Sequence, residues 1–163
     1  MSKVIILMGV SGSGKTTVGQ ALSSALGWPF IDGDDFHSPE NVKKMSRGIP
    51  LSDEDRLHWL ETLSHLLSEN HHRGENLVLA CSALKRIYRD QLRSNHADLI
   101  FVYLAGDIDM IRQRMQAREV HYMKPGMLES QFQILEPPQN ALQINIDRPI
   151  NEIVQEIIGL VGN

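Results

Sequence analysis

An eight-residue stretch near the start of the sequence constrains the fold more than any other feature. Residues 9 to 16 read Gly-Val-Ser-Gly-Ser-Gly-Lys-Thr, which fits the pattern G-x-x-x-x-G-K-[ST]. The glycines let the backbone curl so that successive N–H groups point at a polyphosphate, and the lysine adds a positive charge. An apolar run from Val4 to Met8 precedes the stretch and a helical pattern follows it. We therefore predict a phosphate-binding loop between a strand and a helix.

This loop predicts the residues that bind a nucleoside triphosphate. Lys15 is expected to lie near the β- and γ-phosphates and to act in catalysis, while the Thr16 hydroxyl can ligate Mg²⁺. The helix that follows presents the positive end of its dipole to the same anion. The expected nucleotide contacts are Gly9, Val10, Ser11, Gly12, Ser13, Gly14, Lys15, Thr16 and Thr17.

The length and charge of the chain limit the remaining interpretations. With 163 residues, the chain is expected to form a single domain spanning residues 1–163. A formal net charge of −4 gives no general attraction for nucleic acid or for an anionic membrane. Cys81 is the one cysteine, so no intrachain disulfide can form. No apolar run is long enough to cross a membrane, and we expect a cytoplasmic protein without nucleic-acid or membrane partners.

The order of apolar runs and helical patterns predicts an α/β fold. Apolar runs that alternate with helices indicate parallel strands joined by right-handed crossovers. We therefore predict the three-layer α/β/α fold of P-loop NTPases with a five-stranded parallel sheet. Predicted strands cover 3–8, 29–32, 77–81, 99–104 and 141–146, and predicted helices cover 15–26, 39–47, 52–70, the stretch up to 93, 108–119, 127–135 and 150–160.

Two of these helices carry apolar stripes that are expected to face the core. In the first, the stripe consists of Val18, Leu22 and Ala25. In the long third helix, Ser52 with Asp55 forms an acidic variant of a capping box. The expected core face of that helix is Leu57, Leu60, Leu63 and Leu67.

A polar segment late in the chain is expected to move. Residues 121–126 are polar, are broken by proline and glycine, and lack the period of a strand or a helix. We interpret about 118–130 as a mobile lid. Arg114 and Arg118 lie four apart on the helix that enters it, which favours a shared role at the γ-phosphoryl group. The alternative for these arginines and for Arg112 is an ordinary solvated helix face.

A cluster of acidic residues follows the second predicted strand. Residues 32–37 read Asp-Gly-Asp-Asp-Phe-His and stand at the carboxyl end of a strand, where open α/β sheets bind ligands. We predict that Asp32 faces the metal, through a bound water, and that Asp34 faces the acceptor hydroxyl as the general base. The alternative for Asp34 is a carboxylate that caps the next turn. His37 can hydrogen-bond a substrate hydroxyl or cap the helix that follows.

These motifs belong to a longer pattern that runs over nearly the whole chain. Its residues are 8–19, Asp32-Gly33-Asp34, His37, Asn41, Lys44-Met45, 48–51, Asp53, Asp55-Arg56, Trp59-Leu60, 81–85, Tyr88-Arg89, 118–131 and 146–149. This pattern resembles the gluconokinases. The resemblance implies ATP-dependent phosphorylation of D-gluconate at its 6-hydroxyl, on a fold similar to the nucleoside monophosphate and shikimate kinases, and it is compatible with a homodimer. The alternatives are another small-molecule or nucleotide kinase on the same scaffold, or a nucleotide-dependent switch without an acceptor.

The resemblance also implies where the acceptor lies. Gluconate would sit between the Asp34/His37 segment, the short basic helix after it, and the loop after the third strand. Its carboxylate needs a cation, and the candidates are Arg47, Arg56 and Lys85. An arginine suits a carboxylate better than a lysine because it can bind both oxygens, but the sequence does not rank the three.

Overall fold

Five parallel strands form the centre of the structure, a computed structural model that describes residues 2–93, 98–117 and 126–162. The strand order is β2-β3-β1-β4-β5, so β1 is central and pairs with both β3 and β4. All residues of β1 are buried, which means that helices cover both faces of the sheet. The predicted five-stranded parallel sheet is confirmed. The strands are β1 (Val4–Met8), β2 (Phe30–Asp32), β3 (Leu77–Ala80), β4 (Leu99–Ala105) and β5 (Leu142–Asn145).

Seven α-helices are present in the described residues, and a short 3₁₀ helix, Gly33–Phe36, follows β2. α1 packs against α7, and α3 packs against α4. None of these helices combines the length and the apolar character needed to cross a membrane. The helices are α1 (Lys15–Leu26), α2 (Pro39–Ser46), α3 (Asp53–His72), α4 (Arg86–Arg93), α5 (Ile108–Ala117), α6 (Gly126–Ile134) and α7 (Ile150–Val161).

The parallel order brings the carboxyl ends of β1, β2 and β3 together at one edge of the sheet. Each strand is followed there by a segment that the sequence singled out: the phosphate-binding loop after β1, the acidic cluster after β2, and Ser82 after β3. Hydrogen bonds join two of these segments, since the Gly9 N–H donates to the Ser82 carbonyl at 3.2 Å. The candidate site therefore lies at this edge, as expected for an open α/β sheet.

Two predicted core positions are wrong. Leu57 is 48% exposed, and Arg56 takes the inward position at that end of α3 because its guanidinium is hydrogen-bonded inside the protein. Ala25 is exposed, and the next residue, Leu26, packs against the core instead. Leu26 lies four residues after Leu22 and so continues the same helical face. The other predicted core positions are buried: Val18, Leu22, Leu60, Leu63 and Leu67.

The predicted lid falls mainly on residues 118–125, which lie outside the described residues. Its last part, 126–130, belongs to α6, where Met127 and Leu128 are 2% and 1% exposed.

The predicted capping box of α3 is confirmed, because Ser52 and Asp55 each accept a hydrogen bond from the other's backbone N–H.

A buried arginine fixes the loop between β3 and α4. Arg89 is 4% exposed, and its guanidinium donates to the carbonyls of Ala83 at 2.7 Å and Glu136 at 2.9 Å. Burial lowers the pKa of Arg89. Ala83 has a φ of 45°, the one positive φ at a non-glycine position in the described residues, so its conformation depends on such support.

We expect Arg89→Leu to lower the free energy of unfolding by about 2–4 kcal/mol, because it leaves two buried carbonyls without their donors. Urea denaturation measures this change. Arg86→Leu is the matched control: the Arg86 side chain is 82% exposed, so the change should stay within about 0.5 kcal/mol. Equal losses in the two variants would contradict the role given to Arg89.

Candidate functional site

The loop after β1 has the geometry of an anion cradle. Gly12 and Gly14 have φ values of 80° and 96°, in the left-handed region that favours glycine. A Cβ atom on Gly12 would also lie 2.8 Å from the Met115 side chain of α5, so the loop requires glycine there. The Val18 N–H donates to the Gly14 carbonyl at 2.8 Å and starts α1. The loop therefore enters the helix in the conformation that the motif predicts.

The Lys15 side chain of this loop fits a phosphate group. Lys15 Nζ donates to the carbonyls of Gly9 and Val10, both at 2.9 Å, so its charge lies over the loop. The Ser13 hydroxyl is buried and has no hydrogen-bond partner among the described residues. A curled backbone with a lysine above it suits the phosphates of a nucleotide. Thr17 lies exposed on the first turn of α1.

The residues predicted to hold Mg²⁺ lie together. The Thr16 hydroxyl donates to Asp32 Oδ2 at 2.9 Å, and Asp32 Oδ1 accepts from the Asp34 N–H at 3.0 Å. A hydroxyl and a carboxylate are the hard oxygen donors that Mg²⁺ prefers, and this ion usually binds through one or two carboxylates plus substrate phosphates. Within 2–93, 98–117 and 126–162, no three His, Cys, Asp or Glu residues are grouped as a metal cage. The residues present thus fit Mg²⁺ held with a nucleotide.

A pocket joins the phosphate-binding loop to the acidic cluster. It brings together Lys15, Asp34, His37 and Arg56, four residues that the sequence singled out. Arg47 and Lys85 are not part of its lining. The walls combine charged groups with apolar side chains, as in sites that orient a polar substrate. The complete lining is Ser11, Lys15, Asp34, His37, Met45, Leu51, Arg56, Trp59, Ser82, Met127 and Gln131.

The His37 ring is held in place from three sides. It stacks on the Trp59 ring with 4.2 Å between centroids and 21° between planes, and Trp59 itself donates to the Gly33 carbonyl at 2.7 Å. His37 Nδ1 lies 3.4 Å from Asn41 Nδ2, and Nε2 lies 3.6 Å from Asp34 Oδ1. The histidine side chain is 4% exposed and that of Asp34 is 41% exposed. This arrangement leaves the carboxylate accessible from the pocket.

The three cations predicted to bind the substrate carboxylate differ in their surroundings. Arg56 lines the pocket and donates to the Leu51 carbonyl at 2.7 Å and to the Tyr88 hydroxyl at 3.2 Å. Lys85 donates to Asp53 at 3.0 Å. Arg47 is exposed at the end of α2. Of these three, Arg56 is the one that the structure brings to the pocket.

The Asp53 carboxylate organises the groups next to Arg56. The Tyr88 hydroxyl and the Lys85 ammonium both hydrogen-bond it, and together they hold the pKa of Asp53 below its usual value. Burial is the main cause that raises the pKa of Tyr88. Lys85 is thus paired with a carboxylate of this chain, whereas Arg56 donates to a carbonyl and a hydroxyl and can still meet an external anion.

The arginines of α5 have separate surroundings. Arg114 donates to the Ile146 carbonyl at 2.8 Å, after β5. Arg112 pairs with Asp109 and Glu129, and the Glu129 hydrogen bond raises the pKa of Arg112. Arg118 lies outside the described residues, so the predicted shared role of Arg114 and Arg118 stays a prediction.

Comparison with known proteins identifies the family. The family model described as "Shikimate kinase" matches residues 11–157. The chain is also 45% identical, over an alignment 175 positions long, to the probable gluconokinase of Mus musculus, with 95% of each chain covered. The chain belongs to the gluconokinase family.

Solved structures agree with this assignment. A gluconokinase from Sinorhizobium meliloti superimposes with a TM-score of 0.87 at 43% identity, covering 96% of this chain and 90% of the other. An unliganded sugar kinase from Janibacter gives a TM-score of 0.93 at 37% identity, with 99% and 95% covered. The fold is that of the P-loop kinases, as the sequence predicted.

The sequence assigned no role to Gln131, a polar residue that lines this pocket. Gln131 on α6 is 7% exposed, and its Oε1 accepts a hydrogen bond from the Ser11 N–H at 2.6 Å. The available signal was helical spacing, because Gln131 lies four residues after Met127 and four before Leu135, and a polar side chain on such an apolar face requires a partner. Cys81, which does not line the pocket, is buried, and burial raises the pKa of its thiol to about 12.

Proposed function

We propose that this protein transfers the γ-phosphoryl group of ATP to the 6-hydroxyl of D-gluconate, giving 6-phospho-D-gluconate and ADP. The observation that carries the proposal is the single pocket in which Lys15, Asp34 and Arg56 meet. These residues supply a cation for the phosphoryl donor, a carboxylate for the acceptor hydroxyl, and a cation for an acidic substrate. Membership of the gluconokinase family supports the choice of substrate.

The nucleotide is bound by the phosphate-binding loop. Residues 9–17 and the start of α1 surround the phosphates, and Lys15 exchanges the carbonyls of Gly9 and Val10 for phosphoryl oxygens. Thr16, and Asp32 through water, would hold Mg²⁺, which when bound would supply positive charge to the phosphates of the nucleotide. Arg114 and Arg118 are proposed to add positive charge from the lid side, where closure would exclude water.

The acceptor is bound by the other half of the pocket. Asp34 accepts the proton of the hydroxyl as the new P–O bond forms, and His37, fixed by Trp59 and Asn41, hydrogen-bonds the substrate. We assign the carboxylate of gluconate to Arg56, because its guanidinium can bind both carboxylate oxygens.

We expect Arg56→Lys to raise the KM for gluconate by at least about tenfold with little change in the KM for ATP, because a lysine cannot bind the carboxylate in the same two-point manner. Steady-state kinetics with each substrate varied in turn measures both constants. Arg73→Lys is a matched control on the exposed end of α3. If Lys85→Met or Arg47→Lys raised the gluconate KM while Arg56→Lys did not, the carboxylate assignment would be wrong.

A coupled assay for ADP release tests the proposed reaction against its alternatives. The acceptors are D-gluconate, other sugar acids, shikimate, nucleoside monophosphates, and none. We expect release that depends on D-gluconate. Release with shikimate or a nucleotide instead would favour another kinase on this scaffold, and release without any acceptor would favour a nucleotide switch.

The remaining parts of the proposal concern partners and location. We propose ATP and D-gluconate as the partners, in the cytoplasm, with no nucleic-acid or membrane partner; the net charge of −4 supports this. We also propose a homodimer. The resemblance of the sequence to the gluconokinases supports it. Light scattering after gel filtration tests the dimer.

A further inference from the structure

Gln131 is a buried polar side chain on the face of α6 that also carries the apolar residues Met127 and Leu128. It is 7% exposed, and Met127 and Leu128 on the same helix are buried. A carboxamide is unfavourable in such a place unless it is hydrogen-bonded, whereas an apolar side chain of similar size would fill the position without that penalty. The presence of glutamine therefore needs a reason other than packing.

The position of Gln131 supplies this reason. Its Oε1 accepts from the Ser11 N–H at 2.6 Å, and it lines the same pocket as Lys15 and Asp34. In the proposed function, these two residues serve the phosphoryl donor and the acceptor hydroxyl. The phosphoryl group must travel between them, and Gln131 borders that space.

The segment that follows α6, five residues after Gln131, is hydrogen-bonded to the loop after β3 and to the start of α4. Just after the helix, the Glu136 N–H donates to the Leu84 carbonyl at 2.8 Å, and Glu136 Oε1 accepts from the Arg86 N–H at 2.7 Å. The buried Arg89 donates to the Glu136 carbonyl at 2.9 Å. The end of α6 is thus fixed to the loop after β3, which itself borders the pocket. A side chain fixed in this way is preorganised for a substrate.

We propose that Gln131 contacts the transferring phosphoryl group. Its amide oxygen holds the Ser11 N–H, and its amide nitrogen donates to an oxygen of the γ-phosphoryl group. The inference rests on the proposed function. A neutral carboxamide suits both tasks because it offers an acceptor towards the loop and a donor towards the anion. A carboxylate of the same shape would keep the first contact and place a negative charge beside the phosphoryl group.

Two variants separate these tasks. Gln131→Glu keeps the size and the acceptor for Ser11, and Gln131→Met keeps the size and loses both hydrogen bonds. Gln133→Glu is the matched control, since it adds the same charge at an exposed position of α6. For each variant we would measure kcat with ATP and gluconate, the melting temperature, and the Kd values of ADP and of a non-hydrolysable ATP analogue.

We expect Gln131→Glu to lower kcat by at least about a hundredfold, and to weaken the ATP analogue relative to ADP by at least about tenfold, because like charges close together repel strongly. Gln131→Met should lower kcat by about tenfold and change the ratio of the two Kd values by less than about twofold, since it removes a hydrogen bond without adding a charge. Gln133→Glu should match the unaltered protein.

The opposite order of activities would overturn the proposal. If Gln131 served only the loop, Gln131→Glu would retain more activity than Gln131→Met, because its carboxylate still accepts from Ser11. If Gln131→Met does not fold, the kcat and the Kd ratio of Gln131→Glu test the proposal without it. The Kd ratio needs no turnover, so it tests Gln131 even if the unaltered protein does not phosphorylate gluconate. If the unaltered protein did not phosphorylate gluconate, this would overturn the proposed function and not the inference about Gln131.

Discussion

Replacing Lys15 with methionine is expected to lower kcat by at least about a hundredfold, the size of effect seen when one preorganised electrostatic donor is removed. Lys15 Nζ lies over the loop on the carbonyls of Gly9 and Val10. Its charge contributes most when negative charge shifts onto the phosphoryl oxygens as the bond to ADP breaks, so it stabilises the transition state more than the bound nucleotide. The Kd of ATP should therefore change much less than kcat.

Lys43→Met is a suitable control for this variant, because Lys43 is an exposed lysine of α2 outside the pocket. Its kcat should stay close to that of the unaltered protein. Single-turnover kinetics and nucleotide titration measure the two effects separately. Near-normal turnover in Lys15→Met would contradict the catalytic role given to the phosphate-binding loop.

Asp34→Asn is expected to lower kcat by roughly a hundred- to ten-thousand-fold, the contribution usually attributed to a general base. The substitution keeps the size of the side chain and a hydrogen bond, but an amide cannot accept the proton of the acceptor hydroxyl. Asp34 borders the pocket, while Asp32, two residues earlier, accepts hydrogen bonds from the Thr16 hydroxyl and from the Asp34 N–H. ATP affinity should therefore change little.

Asp35→Asn is the matched control, since Asp35 is an exposed neighbour that does not line the pocket. Phosphoryl transfer can proceed through a loose transition state in which the proton leaves late, and the aspartate would then mainly position the hydroxyl. Retention of more than about a tenth of the turnover in Asp34→Asn would therefore exclude Asp34 as the general base, and the assignment of kinase activity would stand.

The fold could be predicted from the sequence because its signals are local. The helix predicted for 15–26 is observed as Lys15–Leu26, where the loop glycine Gly14 starts it and Gly27, with a φ of 70°, ends it. The buried strand β1 was equally clear, since a strand covered on both faces is apolar throughout. The phosphate-binding loop then fixed which edge of the sheet carries the site.

The details of the site depend on contacts between distant parts of the chain. Arg56 turns inward because Leu51 and Tyr88 accept from it, and Lys85 is drawn to Asp53, 32 residues away in sequence. Such contacts leave no periodic pattern in α3 or α4. The sequence therefore could not rank Arg47, Arg56 and Lys85 as ligands of the substrate carboxylate.

The same limit applies to two other features of the chain. Gln131 meets Ser11 across 120 residues, which no local pattern reveals. The exposed Leu57 shows that an apolar residue at the edge of a helical stripe can point to solvent when a neighbour takes the inward position.

The phosphorus NMR spectrum of the product tests the central claim most directly. The protein would be incubated with ATP, Mg²⁺ and D-gluconate that carries carbon-13 at position 6. The account predicts a new phosphomonoester signal that is split by coupling to the labelled carbon, in equal amount to the ADP formed. An unsplit phosphomonoester, or inorganic phosphate as the only new signal besides those of ADP, would contradict it.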